Sequence, residues 1–250
     1  MTNREKRSIL KRVLDGAWCA IADVQYRSDG FATTHMCKFL EEDKFRNAYI
    51  AGANTNHLFG KNLHIEWRSY ICCMAALQSV KMGGLLIECG VNTGINALTI
   101  AKFLQFDIVE APLYFLMDTF DGVPSELIGS KEVQTATRLN RQYRECYSEV
   151  AETFARFPNV RLIRGILPGT LAELPPDPIG YISLDLNIAA PERDVLEELW
   201  DRLLPGGIIV LDDYLWSGHE EQKKQHDAFA TSRGIGVLPL PTGQGLLIKA

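Results

Sequence analysis

Leu85-Leu86-Ile87-Glu88-Cys89-Gly90-Val91-Asn92-Thr93-Gly94 carries the clearest structural signature in the chain. A short apolar run that closes on an acidic residue and a glycine-flanked turn reads as a buried strand feeding straight into a helix, here Ile95 to Phe106. Downstream the same rhythm repeats. Strands are expected at Leu113–Met117, Val160–Ile163, Ile179–Leu184 and Gly207–Leu211. Helical stretches fall at Glu132–Phe157, at Pro191–Leu204, with proline and acids in its first turn, and at Gln222–Arg233, stopped by Gly234. The chain then runs through Val237–Leu240 and Gly245–Lys249, joined by Pro241-Thr242-Gly243-Gln244. That linker is too short for a parallel crossover, so the last pair is an antiparallel hairpin. Strand–helix alternation over 85–233 predicts an α/β fold with a doubly wound, mainly parallel seven-stranded sheet.

Upstream, Leu63–Met82 is helical and stops at Gly83-Gly84. Residues 4–24 carry Ile9, Leu10, Val13, Leu14 and Ala17 at helical spacing, an amphipathic helix that packs in a homodimer, over the cleft, or on its own domain. Between Asp23 and Asn62 the pattern weakens around Gly30, Gly52 and Gly60, as in a lid or a substrate-facing segment. Two regions result: a helical N-terminal extension or lid over 1–62, and one α/β domain over 63–250.

Composition narrows the function. Of 250 residues 46% are hydrophobic and 23% charged, an ordinary globular balance. The net charge is −5 with no long basic run, which disfavours a nucleic-acid partner. No apolar stretch reaches about 18 residues, so no membrane span is expected. The basic start lacks the apolar core of a signal peptide. Cys19, Cys37, Cys72, Cys73, Cys89 and Cys146 show no zinc-like spacing. They read as small buried hydrophobes, or as free thiols in a reducing, cytoplasmic setting.

In an open α/β sheet ligands bind beyond the carboxyl ends of the strands, at the switch point. There the strands deliver Glu88 with Gly90 and Gly94, then Asp118-Thr119-Phe120-Asp121-Gly122, Arg164-Gly165, Asp185, and Asp212-Asp213. A dinucleotide site wants G-x-G-x-x-G, and Asn92 stands where its second glycine belongs. A glycine turn followed by Asp118, suited to ribose hydroxyls, fits a nucleoside without a pyrophosphate and points to S-adenosylmethionine; the turn alone could also be a tight βα connection. Asp185, Asp212 and Asp213 suit one hard cation, Mg²⁺, Ca²⁺ or Mn²⁺, or Asp212-Asp213 simply caps a turn.

Trp67-Arg68, the Glu88–Gly94 turn, Asp118-Thr119-Phe120-Asp121-Gly122-Val123-Pro124, Asp185-Leu186-Asn187 and Leu204–Tyr214 together resemble the macrocin O-methyltransferase (TylF-like) family, over roughly 63–250. The resemblance implies a Rossmann-like class I methyltransferase that uses S-adenosylmethionine and Mg²⁺ to methylate a hydroxyl of a small-molecule acceptor, a sugar or glycoside. It implies Asp185 as metal ligand and general base, and Asp212 and Asp213 as the other metal ligands. Glu88, Gly90 and Gly94, with Asn92 and Thr93 between the glycines, would bind the cofactor. Asp118 would hold the ribose, and Phe120 and Gly165 would border the adenine. Relatives carry Asp-x-Asp-x-Tyr after the fourth strand, whereas this chain has Asp185-Leu186-Asn187-Ile188, which bears on the acceptor pocket. His57, His64, His219 and His226 are rival bases, each also readable as a solvent-facing histidine. Arg68 reads either as a contact for the cofactor carboxylate or as half of a structural ion pair. Tyr214 and Trp216 read as walls of the acceptor pocket or as edge packing. A catechol-type O-methyltransferase, a non-catalytic S-adenosylmethionine-binding protein and an NAD-dependent oxidoreductase are the competing readings.

Overall fold

The computed structural model describes residues 23–59, 63–107 and 111–250. The helix expected over 4–24 falls outside these but for its last two residues. A hairpin of β1 (Tyr26–Ser28) and β2 (Phe31–Thr33) comes first, then α1 (Asp43–Ala53) and α2 (Glu66–Met82). The core follows as β3 (Leu85–Cys89), α3 (Ile95–Phe103), β4 (Tyr114–Asp118), α4 (Val133–Asn140), α5 (Tyr147–Phe154) and β5 (Val160–Arg164). It continues through β6 (Ile179–Leu184), α6 (Ala189–Leu199), β7 (Leu203–Leu211), α7 (Glu220–Ser232), β8 (Leu238–Pro239) and β9 (Gly245–Ile248).

Among the described residues one seven-stranded sheet runs in the order β5-β4-β3-β6-β7-β9-β8. The first five are parallel to one another, and β9 pairs antiparallel with β7 and with β8. Chain order reverses between β3 and β6, so the switch point lies where those strands end. Register places their ends side by side: Cys89 opposite Leu184, and Leu184 opposite Leu211. The ladder runs one step further, with Asp185 N–H donating to Cys89 O (2.8 Å) and Asp212 N–H to Leu184 O (3.0 Å). Gly90, Asp185 and Asp212 therefore leave the sheet together.

The sheet is covered on both faces, which is why its strands read as continuous apolar runs. With the two-residue period of a strand, Leu86 joins one core with Cys72, Ala76, Leu98 and Tyr114. Leu85, Ile87 and Cys89 join the other with Ile182, Val195, Leu199 and Phe229. Each fully buried Leu or Ile contributes about 1.5–3 kcal/mol.

Two expectations change. The stretch over Glu132–Phe157 is two helices, because Cys146 N–H leaves the helical ladder to donate to Phe120 O at 3.0 Å. The region before residue 62 contributes a hairpin as well as helix. Trp67 anchors that hairpin edge-on against Tyr26 (5.5 Å) and Phe31 (5.1 Å). α1 crosses α3 at Gly52, where a Cβ would stand 2.3 Å from Ile95 O, so only glycine permits the contact.

Candidate active site

Beyond the strand ends lies a cavity of about 770 Å³, walled by Glu88, Gly90, Asn92, Thr93, Asp118, Phe120 and Gly165 from one side and Asp185, Asp212 and Asp213 from the other. The cofactor residues named from sequence thus meet in one place, except Gly94. A Cβ on Gly94 would face the Phe154 ring at 2.9 Å, so it serves helix packing and does not line the cavity.

Gly90 has φ 90°, and a Cβ there would lie 1.9 Å from Asp185 O. No other residue lets the β3 turn pass this close to the β6 turn. Asn92 is also left-handed, φ 49°, a conformation Asn tolerates better than most residues. Asp118 holds the turn: its Oδ2 accepts Val91 N–H (2.6 Å) and Asn92 N–H (2.7 Å), and its Oδ1 accepts Phe120 N–H (2.8 Å). Thr119 Oγ1 is a fourth neighbour, 3.2 Å from Oδ1, so a ribose hydroxyl reaching Asp118 would share or replace one of these contacts. Phe120 is 1% exposed and meets Tyr147 edge-on at 5.4 Å, forming an apolar wall for a flat ring.

Glu88 is 3% exposed and accepts the Tyr114 hydroxyl. Burial, with Asp212 and Asp118 adding repulsion, pushes its carboxyl up to about 8 despite that bond. Because the folded pKa exceeds the ordinary 4.5, the stability Glu88 contributes is fully present below about pH 4.5 and is lost as pH rises through 8. The loss is about 1.4 kcal/mol per pH unit within that window. Glu88→Gln, which mimics the protonated form, is expected to raise Tm at pH 8 and to leave it unchanged at pH 4.5. Equal Tm differences at both pH values would place the ionisation elsewhere.

Asp185 is half-buried in the cavity wall beside Asp212 and Asp213. Burial first, then those two charges, hold its carboxyl well above the usual range, against the pull of Arg68. Its Oδ1 accepts Asn187 Nδ2 (3.1 Å), whose amide also reaches Tyr143 Oη (3.4 Å). Asp213 is pushed up to about 6, by burial and Asp212, with His219 easing it. Its Oδ2 lies 3.5 Å from His219 Nδ1. Asp212 is more committed: Oδ2 accepts Arg68 Nη1 at 2.6 Å and Oδ1 accepts Gln244 Nε2 at 3.0 Å. Arg68 therefore takes the ion-pair alternative of the two considered for it.

Hard oxygens and surplus negative charge suit the trio to a divalent cation, Asp185 and Asp213 more openly than Asp212. Among the described residues, no group of three or more His, Cys, Asp or Glu side chains is drawn together tightly enough to hold a metal ion as they stand.

Of the histidines considered as rival bases, His219 lines the cavity and His64 and His226 do not; the side chain of His57 lies outside the described residues. His226 is buried with Nε2 2.9 Å from Glu192 Oε2. Glu192 Oε1 accepts both Leu186 N–H (2.8 Å) and Gln222 Nε2 (2.9 Å), and Gln222 Oε1 pairs with His219 Nδ1. This buried chain ties the backbone after Asp185 to the residues facing Asp213. Sequence reading missed Glu192, Gln222, Gln244, Tyr143 and Asp29. Of these, Asp29 alone carried a signal, the Asp29-Gly30 turn pair.

The sheet order and the site at its switch point define a class I methyltransferase fold, and solved structures agree. The O-methyltransferase NovP superposes with TM-score 0.65 at 20% identity, covering 73% of this chain and 79% of that one. The calicheamicin methyltransferase CalS11 gives 0.64 at 18% identity, covering 89% and 96%. The macrocin O-methyltransferase (TylF) family pattern matches residues 68–237, and the chain belongs to that family. Among its relatives, the 8-demethyl-8-(2,3-dimethoxy-alpha-L-rhamnosyl)-tetracenomycin-C 4'-O-methyltransferase of Streptomyces olivaceus is 28% identical over 149 residues, 57% of each chain. The mycinamicin III 3''-O-methyltransferase of Micromonospora griseorubida is 26% identical over 153 residues, 57% of this chain and 59% of that protein. The matched region thus spans a little over half the length of these relatives. Among the described residues no helix is long and apolar enough to cross a membrane.

Proposed function

We propose that this protein is an S-adenosylmethionine-dependent O-methyltransferase acting on a hydroxyl of a sugar or glycoside, with a divalent cation, Mg²⁺, held at its carboxylates. The observation that supports the reading most is the place of Asp185, at the switch point against the Gly90 turn and on the cavity wall with Asp212 and Asp213. Glycoside acceptors enter through the relatives, named as O-methyltransferases, one of them of a rhamnosyl compound.

Bound S-adenosylmethionine supplies a methyl group on a sulfonium sulfur, and a divalent cation supplies charge that favours an ionised acceptor oxygen. The chain's own residues do the rest. Gly90, Asn92 and Thr93 shape the turn beneath the methionine and ribose, with Glu88 behind it. Asp118 accepts ribose hydroxyls, and Phe120 and Gly165 border the adenine. Asp185 would accept the proton that the acceptor hydroxyl gives up on methylation. Asp185, Asp212 and Asp213 would be the cation's ligands. Aligning oxygen, carbon and sulfur is worth roughly 7–11 kcal/mol of barrier, and the Glu192–Gln222–His219 chain keeps the two carboxylate-bearing turns in register for it.

Two experiments test this. Calorimetric titration should show S-adenosylmethionine binding and no NAD binding. Asp118→Ala should weaken the former tenfold or more, since charged hydrogen bonds are worth about 1.5–3 kcal/mol; unchanged affinity in a folded variant would remove Asp118 from the cofactor site. Excess chelator should abolish turnover and leave S-adenosylmethionine affinity intact, with Mg²⁺ restoring activity. Full turnover in chelator would leave Asp212 as the ion-pair partner of Arg68 only.

A further inference from the structure

Arg68, in the first turn of α2, is enclosed by two carboxylates from distant parts of the chain. Its Nε and Nη2 donate to Asp29 Oδ2 (3.1 Å) and Oδ1 (3.3 Å), a two-pronged grip, while Nη1 donates to Asp212 Oδ2 (2.6 Å). The three side chains are 10%, 10% and 5% exposed. Trp216 covers the guanidinium from a third side, 5.0 Å from its ring centre. Asp29 reaches this place because the hairpin turns there, with Asp29 at φ 52° and Gly30 at φ 74°. Asp185 and Asp213 stand close enough to act electrostatically on the same guanidinium. Four carboxylates thus face one permanent positive charge.

The partners are unequally committed. Asp29 holds Arg68 by two bonds, the fork geometry guanidinium favours, and Asp212 holds it by one. Asp212 has a second support, Gln244 on its other oxygen, which would keep the carboxylate in place if Arg68 let go.

We propose that Arg68 is a resident cation of this site, shared between Asp29 and Asp212, and that a divalent ion entering among Asp185, Asp212 and Asp213 displaces it from Asp212 onto Asp29. The β1–β2 hairpin is then part of the cation site, because it carries the acceptor for the displaced charge. Arg68 neutralises the carboxylates before the ion arrives, and it sets the ion's affinity by competing for one ligand. This rests on the cation assignment made under Proposed function.

Opposite shifts from two substitutions test it. Chelator-stripped protein is titrated with Mn²⁺, an oxygen-ligated stand-in for Mg²⁺, and free ion is read by electron paramagnetic resonance. Arg68→Met keeps most of the stem, removes the competitor and should tighten Mn²⁺ binding about tenfold or more. Asp29→Asn leaves Arg68 with Asp212 as its remaining carboxylate partner and should weaken Mn²⁺ binding by a similar factor. Asp29 lies in a surface hairpin, so this conservative variant answers the question even if Arg68→Met does not fold. Equal affinities, a looser Arg68→Met, or a tighter Asp29→Asn overturn the displacement and leave the cation assignment standing. Absence of Mn²⁺ binding to the unsubstituted protein overturns both.

Discussion

Asp185→Asn is expected to lower methyl transfer by roughly 10²–10⁴, the usual contribution of a positioned base, while S-adenosylmethionine affinity stays close to that of the unsubstituted protein. The substitution preserves size and removes both the proposed proton acceptor and a proposed cation ligand. It also relieves the repulsion among Asp185, Asp212 and Asp213 that burial intensifies. Tm should therefore rise or hold, so loss of activity cannot be attributed to unfolding. Pairing it with Asp212→Asn should cost far less than the two single effects combined, as for residues acting as a unit. Single-turnover assay with circular dichroism on the same samples checks both halves. Activity within a few-fold of normal would transfer the base role to another group, with His219 the first candidate from its place in the cavity beside Asp213.

Gly90→Ala is expected to abolish S-adenosylmethionine binding and to destabilise the fold. The added methyl would need the space of Asp185 O, 1.9 Å away, at a φ of 90° that alanine avoids. Left-handed strain and overpacking together put the cost at about 2–5 kcal/mol. Because backbone must move, the ends of β3 and β6 separate and the Asp185 turn shifts with them. Chemical denaturation and calorimetry measure the two effects. A variant that binds S-adenosylmethionine normally would show that the turn has room the structure denies it.

Both positions are legible in the amino-acid sequence. A strand that ends in a glycine turn, and strands that each end in a carboxylate, mark a sheet edge because strand ends and tight turns leave strong local signals. The Glu88–Gly94 turn, Asp118, Asp185 and Asp212-Asp213 all carry them. What stays hidden depends on distance in the chain or on tertiary contacts. Arg68 stands out in the sequence, but its pairing with Asp29 and Asp212 joins residues 39 and 144 positions away. The β1 and β2 strands are three residues each, too short for alternation to register. The break between α4 and α5 has neither proline nor glycine over 141–146; a bond from Cys146 to Phe120 makes it, and it lets Tyr143 reach the cavity. Gly94 shows a further tertiary constraint: a Cβ there would meet the Phe154 ring, which its place in the turn does not reveal.

The proposed reaction is methyl transfer from S-adenosylmethionine to a glycoside hydroxyl at the β3–β6 switch point. The most direct test is to incubate the protein with methyl-labelled S-adenosylmethionine, Mg²⁺ and a fractionated glycoside extract, with Asp185→Asn in parallel, and to follow products by mass spectrometry. The expected product is a glycoside carrying one labelled methyl on a sugar oxygen, formed by the unsubstituted protein and not by Asp185→Asn. Label on nitrogen or carbon, or equal label with both proteins, would contradict it.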